Sequence, residues 1–127
     1  MISYMQHILI HKDNTLIHAL EKLNTIRDIS RLILFVNDDD NSIMGSLTDG
    51  DVRRSLINDK DIHKKVWEVC NMDFVFEYEQ NDFIDLDSYR KRDVKVLPIL
   101  DNKKQLVRVL DLNKTKAVLP VECVIMA

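Results

Sequence analysis

The sequence predicts an α+β fold made of two β-α-β-β-α repeats related by a pseudo-twofold axis. Three observations carry this prediction. Stretches with helical hydrophobic spacing alternate with short apolar runs of strand length. A strand, polar turn, strand pattern occurs twice, and adding 63 to each number carries the first copy onto the second without a gap from Arg31 to Asp51. Ile33, Leu34 and Val36 fall on Val96, Leu97 and Ile99, Asp38 on Asp101, and Ile43, Met44 and Leu47 on Leu106, Val107 and Leu110. Finally, two Gly and two Pro in 127 residues leave little room for linkers or disorder.

Taken in order, "HILIH" alternates as a short strand. "DNTLIHALEKLNTI" reads as a helix with Thr15 or Asn14 as N-cap and an apolar face of Leu16, Ala19, Leu20, Leu23 and Ile26. "RLILFVN" is a continuous apolar run suited to a strand covered on both faces, and "SIMGSLT" returns from the polar turn "NDDDNS" as its hairpin partner. "DGDVRRSLIN" is helical, with Val52, Leu56 and Ile57 facing inward. A connector with a short helical pattern, "IHKKVWEVCN", precedes the second copy. There "DFVFEYE" reads as a strand and "NDFIDLDSYRKR" as a shorter helix with Phe83, Leu86 and Tyr89 inward. "VKVLPIL", "DNKKQ" and "LVRVL" form the second hairpin. The expected boundaries are a first repeat over 1–60, a connector over 61–72, a shortened second repeat over 73–117, and the start of a truncated following domain over 118–127.

Composition excludes several classes of function. The net charge of −3 gives no global attraction to nucleic acid, and the basic run "YRKRDVK" lacks interleaved aromatics. No apolar run approaches the roughly 20 residues of a membrane-spanning helix, and the N-terminus lacks the basic and apolar regions of a signal peptide. Cys70 and Cys123 sit in apolar settings, which reads as two reduced thiols in a cytoplasmic protein. The acidic stretch "DDDNSIMGSLTD" has Ile43 where a calcium loop needs its Gly and Asp49 where it needs Glu. His7 and His11 share a strand side without an evident third ligand, so no metal site is expected.

The stretch Gly45-Ser46-Leu47-Thr48-Asp49-Gly50-Asp51 resembles the signature of the CBS domain, a module named after cystathionine β-synthase. The duplicated order of elements, over about residues 6–115, resembles its usual tandem pair, the Bateman module. In addition, the terminal "VIMA" resembles the opening strand of sugar-phosphate nucleotidyltransferases, and Thr48–Arg54 resembles a "TDGDIRR" segment found in CBS pairs attached to such enzymes. This resemblance implies a regulatory piece without catalytic activity of its own, acting on a C-terminal catalytic domain, and a homodimer formed through helices, with Leu56, Ile57 and Trp67 as candidate contacts.

The same resemblance implies an adenosine-containing regulatory ligand (AMP, ADP, ATP or S-adenosylmethionine) in the cleft between repeats, and no required cofactor. Thr48 and Asp51 would hold phosphate and ribose, Ile8, Ile10, Ser30 and Arg31 would line the adenine slot, and Arg53 or Arg54 would meet a phosphate. A carboxylate can accept from both ribose hydroxyls, and such charge-assisted bonds are strong. Two plainer readings stand beside this. Thr48-x-x-Asp51 is also the pattern of a helix capping box, which requires no ligand, and the whole pair could serve only as a dimerisation device. In the second copy Arg108, Asp111 and Lys114 replace Gly, Thr and Asp. An ammonium only donates hydrogen bonds, so this second site cannot hold a ribose through Lys114.

Overall fold

The computed structural model describes residues 6–26 and 32–112. These divide into two compact units, one ending at Phe74 and one beginning at Val75. In the first, a 3-10 turn over Gln6–Ile8 leads into β1 (Leu9–His11), followed by α1 (Leu16–Leu23), β2 (Ile33–Asn37), β3 (Ile43–Thr48) and α2 (Asp49–Asp59). The second contains β4 (Glu77–Tyr78), α3 (Leu86–Lys91), β5 (Val96–Leu100) and β6 (Leu106–Asp111). Each sheet has three strands, ordered β1-β2-β3 and β4-β5-β6. The first strand of each runs parallel to the second, and the second pairs antiparallel with the third.

The duplication extends to hydrogen-bond register. Ile33 pairs with Thr48 and Leu34 with Leu47, while Val96 pairs with Asp111 and Leu97 with Leu110. Both hairpins shift register at the same place, between Val36 and Asn37 and between Ile99 and Leu100. Their turns match as well. Asp38 Oδ1 accepts from the amides of Asp40 and Ser42, and Asp101 Oδ1 accepts from those of Lys103 and Gln105. Asn41 and Lys104 both adopt left-handed backbone, at φ 68° and 64°. The closing helix expected for the second copy lies outside the described residues.

β2 is buried from Ile33 to Val36 and β5 along its whole length, as their continuous apolar runs require. In the first unit Ile8, Ile10, Leu16, Ala19, Leu23, Phe35, Leu47 and Val52 are almost wholly buried. Leu97, Ile99 and Leu112 form the centre of the second, with Ile84, Leu86 and Tyr89 packed against them.

Several elements differ from the sequence expectation. Thr15 occupies the N-cap of α1, but its side chain makes no capping bond. Instead the carbonyls of Lys64 and Ile62 accept from the amides of Leu16 and Ile17, at 3.0 and 3.1 Å, so the connector supplies the cap. The connector also forms bridges at Thr15–Lys65 and Ser46–Asn71 and buries Val66 completely. Its helical pattern amounts to one 3-10 turn, Val66–Glu68. The strand expected over "DFVFEYE" shrinks to Glu77–Tyr78. Phe83 precedes α3 and is 79% exposed, because Asp85 accepts from the Ser88 amide and starts the helix after it. Ile57 points outward at 69% exposure, leaving Val52 as the buried residue of α2. His7 lies in the opening 3-10 turn rather than on β1.

Candidate functional site: the start of the second helix

β3 runs directly into α2, and Thr48 at the junction has extended backbone, φ −101° and ψ 166°. Its side-chain oxygen accepts from the Asp51 amide at 3.1 Å, and Asp51 Oδ2 accepts from the Thr48 amide at 3.0 Å. The capping box anticipated from the residue pattern is therefore closed in both directions. Asp51 Oδ1 is the remaining acceptor, and it receives Arg54 Nη2 at 2.6 Å. Arg53 turns to the other acidic residue of the first turn, donating to Asp49 Oδ2 at 3.0 Å.

Asp51 and Arg54 border a pocket of about 330 Å³ between α2 and the connector, with Ser55, Asn58, Lys64 and Glu68 on its walls. Ser55 Oγ is buried without a hydrogen-bond partner among the described residues. Lys64 is held by Asp59 at 2.5 Å, a pair that raises the Lys64 pKa and lowers that of Asp59. Burial pushes up the pKa of the Cys70 thiol, and the nearby charge of Asp51 adds to the effect. Cys70 is a free cysteine, and its sequence companion Cys123 lies outside the described residues.

The remaining predicted ligand residues do not all converge here. Ile8 and Ile10 are core residues, 3% and 2% exposed. Ser30 and Arg31 lie outside the described residues, as does Lys114 of the second copy. Asp111, the counterpart of Thr48, is buried at 7% exposure, and Arg108, the counterpart of Gly45, is exposed. Of the two candidate phosphate contacts, Arg53 pairs with Asp49 at i,i+4 and Arg54 with Asp51 at i,i+3.

A second polar cluster lies at the end of β1. His11 Nε2 donates to Asp39 Oδ1 at 2.8 Å, and the Asp13 amide donates to His11 Nδ1 at 3.2 Å. Sequence spacing gave no sign of Asp39, which is 28 residues away and arrives through the β2–β3 turn. No helix among the described residues is long and apolar enough to cross a membrane.

Residues 3–58 match the family model of the CBS domain. No curated protein matches the chain. Among solved structures, Staphylococcus aureus OpuCA is similar at TM-score 0.67 and 21% identity, over 82% of this chain and 84% of its own. The cystathionine beta-synthase pair domain of the putative Mg2+ transporter SO5017 from Shewanella oneidensis MR-1 is similar at 0.66 and 17% identity, over 90% and 66%. The cytosolic domain of the Mg2+ channel MgtE in complex with ATP is similar at 0.67 and 19% identity, over 88% of this chain and 44% of that one. The fold is that of a tandem CBS pair, and its first repeat matches the CBS domain in sequence as well.

Proposed function

We propose that the chain is a regulatory module that binds an adenosine-containing nucleotide at Thr48 and Asp51. One observation carries the reading. The first copy keeps the Thr and the Asp at a helix start beside a polar pocket, whereas the second copy has Asp111 at the Thr position. Asp51 holds one oxygen in the cap and presents the other to Arg54, whose side chain is 70% exposed. A ribose hydroxyl can exchange for that partner at small cost, because exposed ion pairs contribute about 0–1 kcal/mol. Arg54, once released, is placed to meet a phosphate. The similar MgtE domain is described in complex with ATP, which supports the choice of AMP, ADP, ATP and S-adenosylmethionine as ligands to test.

Calorimetry with these four ligands on the wild type and on Asp51→Asn tests the reading. The variant retains an amide oxygen for the Thr48 cap and loses the charged ribose acceptor. Binding by the wild type that weakens at least about tenfold in the variant supports the site, in line with the worth of a charge-assisted bond. Equal binding by both proteins would falsify it.

The closed capping box favours a second reading, in which Thr48 and Asp51 only start a helix and the pair acts as a homodimerisation device. That reading expects no shift in melting temperature with any of the four ligands. A ligand that binds the native state alone, at 100 times its Kd, adds about 2.7 kcal/mol of stability.

The regulated partner in this proposal is a C-terminal sugar-phosphate nucleotidyltransferase domain, suggested by "VIMA" at 124–127. The chain itself then carries binding and no catalysis. The gene sequence beyond Ala127 should continue into a Gly-rich loop with a basic residue, and a different continuation removes this partner.

A further inference from the structure

We propose that His11, Asp13 and Asp39 form a binding site for a divalent transition-metal ion of the zinc class. One ligand atom from each residue lies within 4.8 Å of the others. A tetrahedral zinc ion with bonds of about 2.0–2.2 Å holds neighbouring ligand atoms about 3.3–3.6 Å apart. Small rotations of these side chains, 38%, 54% and 77% exposed, span the difference. One imidazole with two carboxylates suits zinc, cobalt or nickel, and the imidazole disfavours magnesium and calcium.

The amide of Asn37 points to a cation independently. Asn37 is the register partner of His11 across β1 and β2. Its Nδ2 donates to Asn41 Oδ1 at 2.6 Å, and Asn37 Oδ1 is buried with no donor among the described residues. Such an orphaned acceptor costs about 1–3 kcal/mol unless a donor or cation reaches it. Asn37 lines one pocket of about 360 Å³ together with His11 and Asp39, two of the three proposed ligands.

The second repeat serves as an internal control. Its hairpin turn uses Asp101 just as the first uses Asp38, so that aspartate is a requirement of the turn. By strand register Tyr78 stands in place of His11 and Leu100 in place of Asn37, and the hairpin offset puts Asn102 in place of Asp39. The same fold therefore forms without these donors, and their presence in the first copy is not explained by folding. Lys12 lies 3.8 Å from Asp13, too far for a hydrogen bond, and Lys22 lines the pocket. An incoming ion competes with both, which sets a moderate affinity.

When the ion takes His11 Nε2, the proton there leaves to solvent and the ring takes one from solvent at Nδ1, so the Asp13 amide gives up the hydrogen bond it donates to Nδ1 in the metal-free chain. The experiment uses the tag-free chain after chelator treatment, titrated with Zn2+ by calorimetry and with Co2+ by visible absorption. The expected result is one ion per chain, a cobalt spectrum of imidazole–carboxylate type, and no competition from Mg2+. Affinity should fall at least about tenfold in His11→Gln and in Asp39→Asn, while Cys70→Ser binds like the wild type. Absence of saturable Zn2+ binding overturns the proposal, as does binding unchanged in His11→Gln and Asp39→Asn. Circular dichroism of the metal-free variants verifies that both remain folded, and Asp39→Asn alone decides if His11→Gln does not.

Discussion

At Gly45 a Cβ atom would lie 2.8 Å from Cys70 Sγ and 3.0 Å from the Asn71 carbonyl oxygen. The sulfur can move a little. The carbonyl cannot, because Ser46 and Asn71 exchange backbone hydrogen bonds of 3.0 and 2.8 Å. Gly45→Ala should therefore cost about 1–3 kcal/mol in urea denaturation, as overpacking does. Adding Cys70→Ala should restore only part of the loss, since the backbone contact persists. The motif glycine thus has a packing reason that its own sequence neighbourhood does not disclose, because Cys70 and Asn71 are 25 and 26 residues downstream. Thr48 and Asp51 were legible down to their mutual bonds, being three residues apart on one helix turn. Thr48→Ala should cost about 1 kcal/mol of stability by loss of the cap, and a smaller effect on the denaturation midpoint contradicts the capping geometry. By contrast, the His11–Asp39 pair depends on the β2–β3 turn folding over the end of β1, a contact that spacing cannot reveal.

Local pattern located most helices and strands, and the connector departs from it because backbone bonds to neighbouring segments supply what its own sequence lacks. The hairpins were readable to within two residues because their register is fixed by the apolar run and the Asp38-type turn. The connector was not, since its role rests on backbone bonds to Asn14, Leu16 and Ser46 rather than on hydrophobic period. Val66 anchors it and is completely buried. Val66→Ala should cost about 1.5–3 kcal/mol from lost burial plus a cavity, with the loss read from chemical denaturation. In the second unit Tyr89 donates to Glu77, linking α3 to β4. Burial, then this hydrogen bond and the Glu77 charge, push the Tyr89 pKa up to about 12, against a smaller opposing effect of Arg92. A raised folded pKa means that the contribution to stability is intact below the ordinary tyrosine value near 10 and is lost as pH rises towards about 12. Tyr89→Phe should flatten the fall in stability over that alkaline window. Absorbance titration of the phenols should show one late-titrating tyrosine that disappears in the same variant.

At the scale of the whole molecule, the repeat made the architecture legible from one arithmetic offset, while association with other copies leaves no comparable trace in sequence. Ile57, at 69% exposure, and Trp67, at 43%, are large apolar side chains left open on the first unit. Ile17 and Ile62 are also exposed, and the Ile17 amide bonds to the Ile62 carbonyl, so that pair is contiguous. Large apolar groups exposed together mark interaction surfaces more often than scattered single ones do. A homodimer, expected from the family resemblance and central to the second reading of the pair, would give them a use. In a twofold interface each residue appears twice, so one substitution places two charges in the contact. Ile57→Glu should therefore shift sedimentation equilibrium from dimer to monomer, whereas Phe83→Glu, in the second unit, should leave the dimer intact. Neither substitution disturbs a buried side chain, and thermal denaturation should differ only through the lost association. If the wild type sediments as a monomer, or if Ile57→Glu remains dimeric, this surface is not the contact. Nucleotide binding at Asp51, which lies on the same helix as Ile57, can regulate association only through different affinities for the two states. Measuring the dimer constant with and without bound nucleotide gives that coupling directly, and an unchanged constant confines the nucleotide's effect to the single chain.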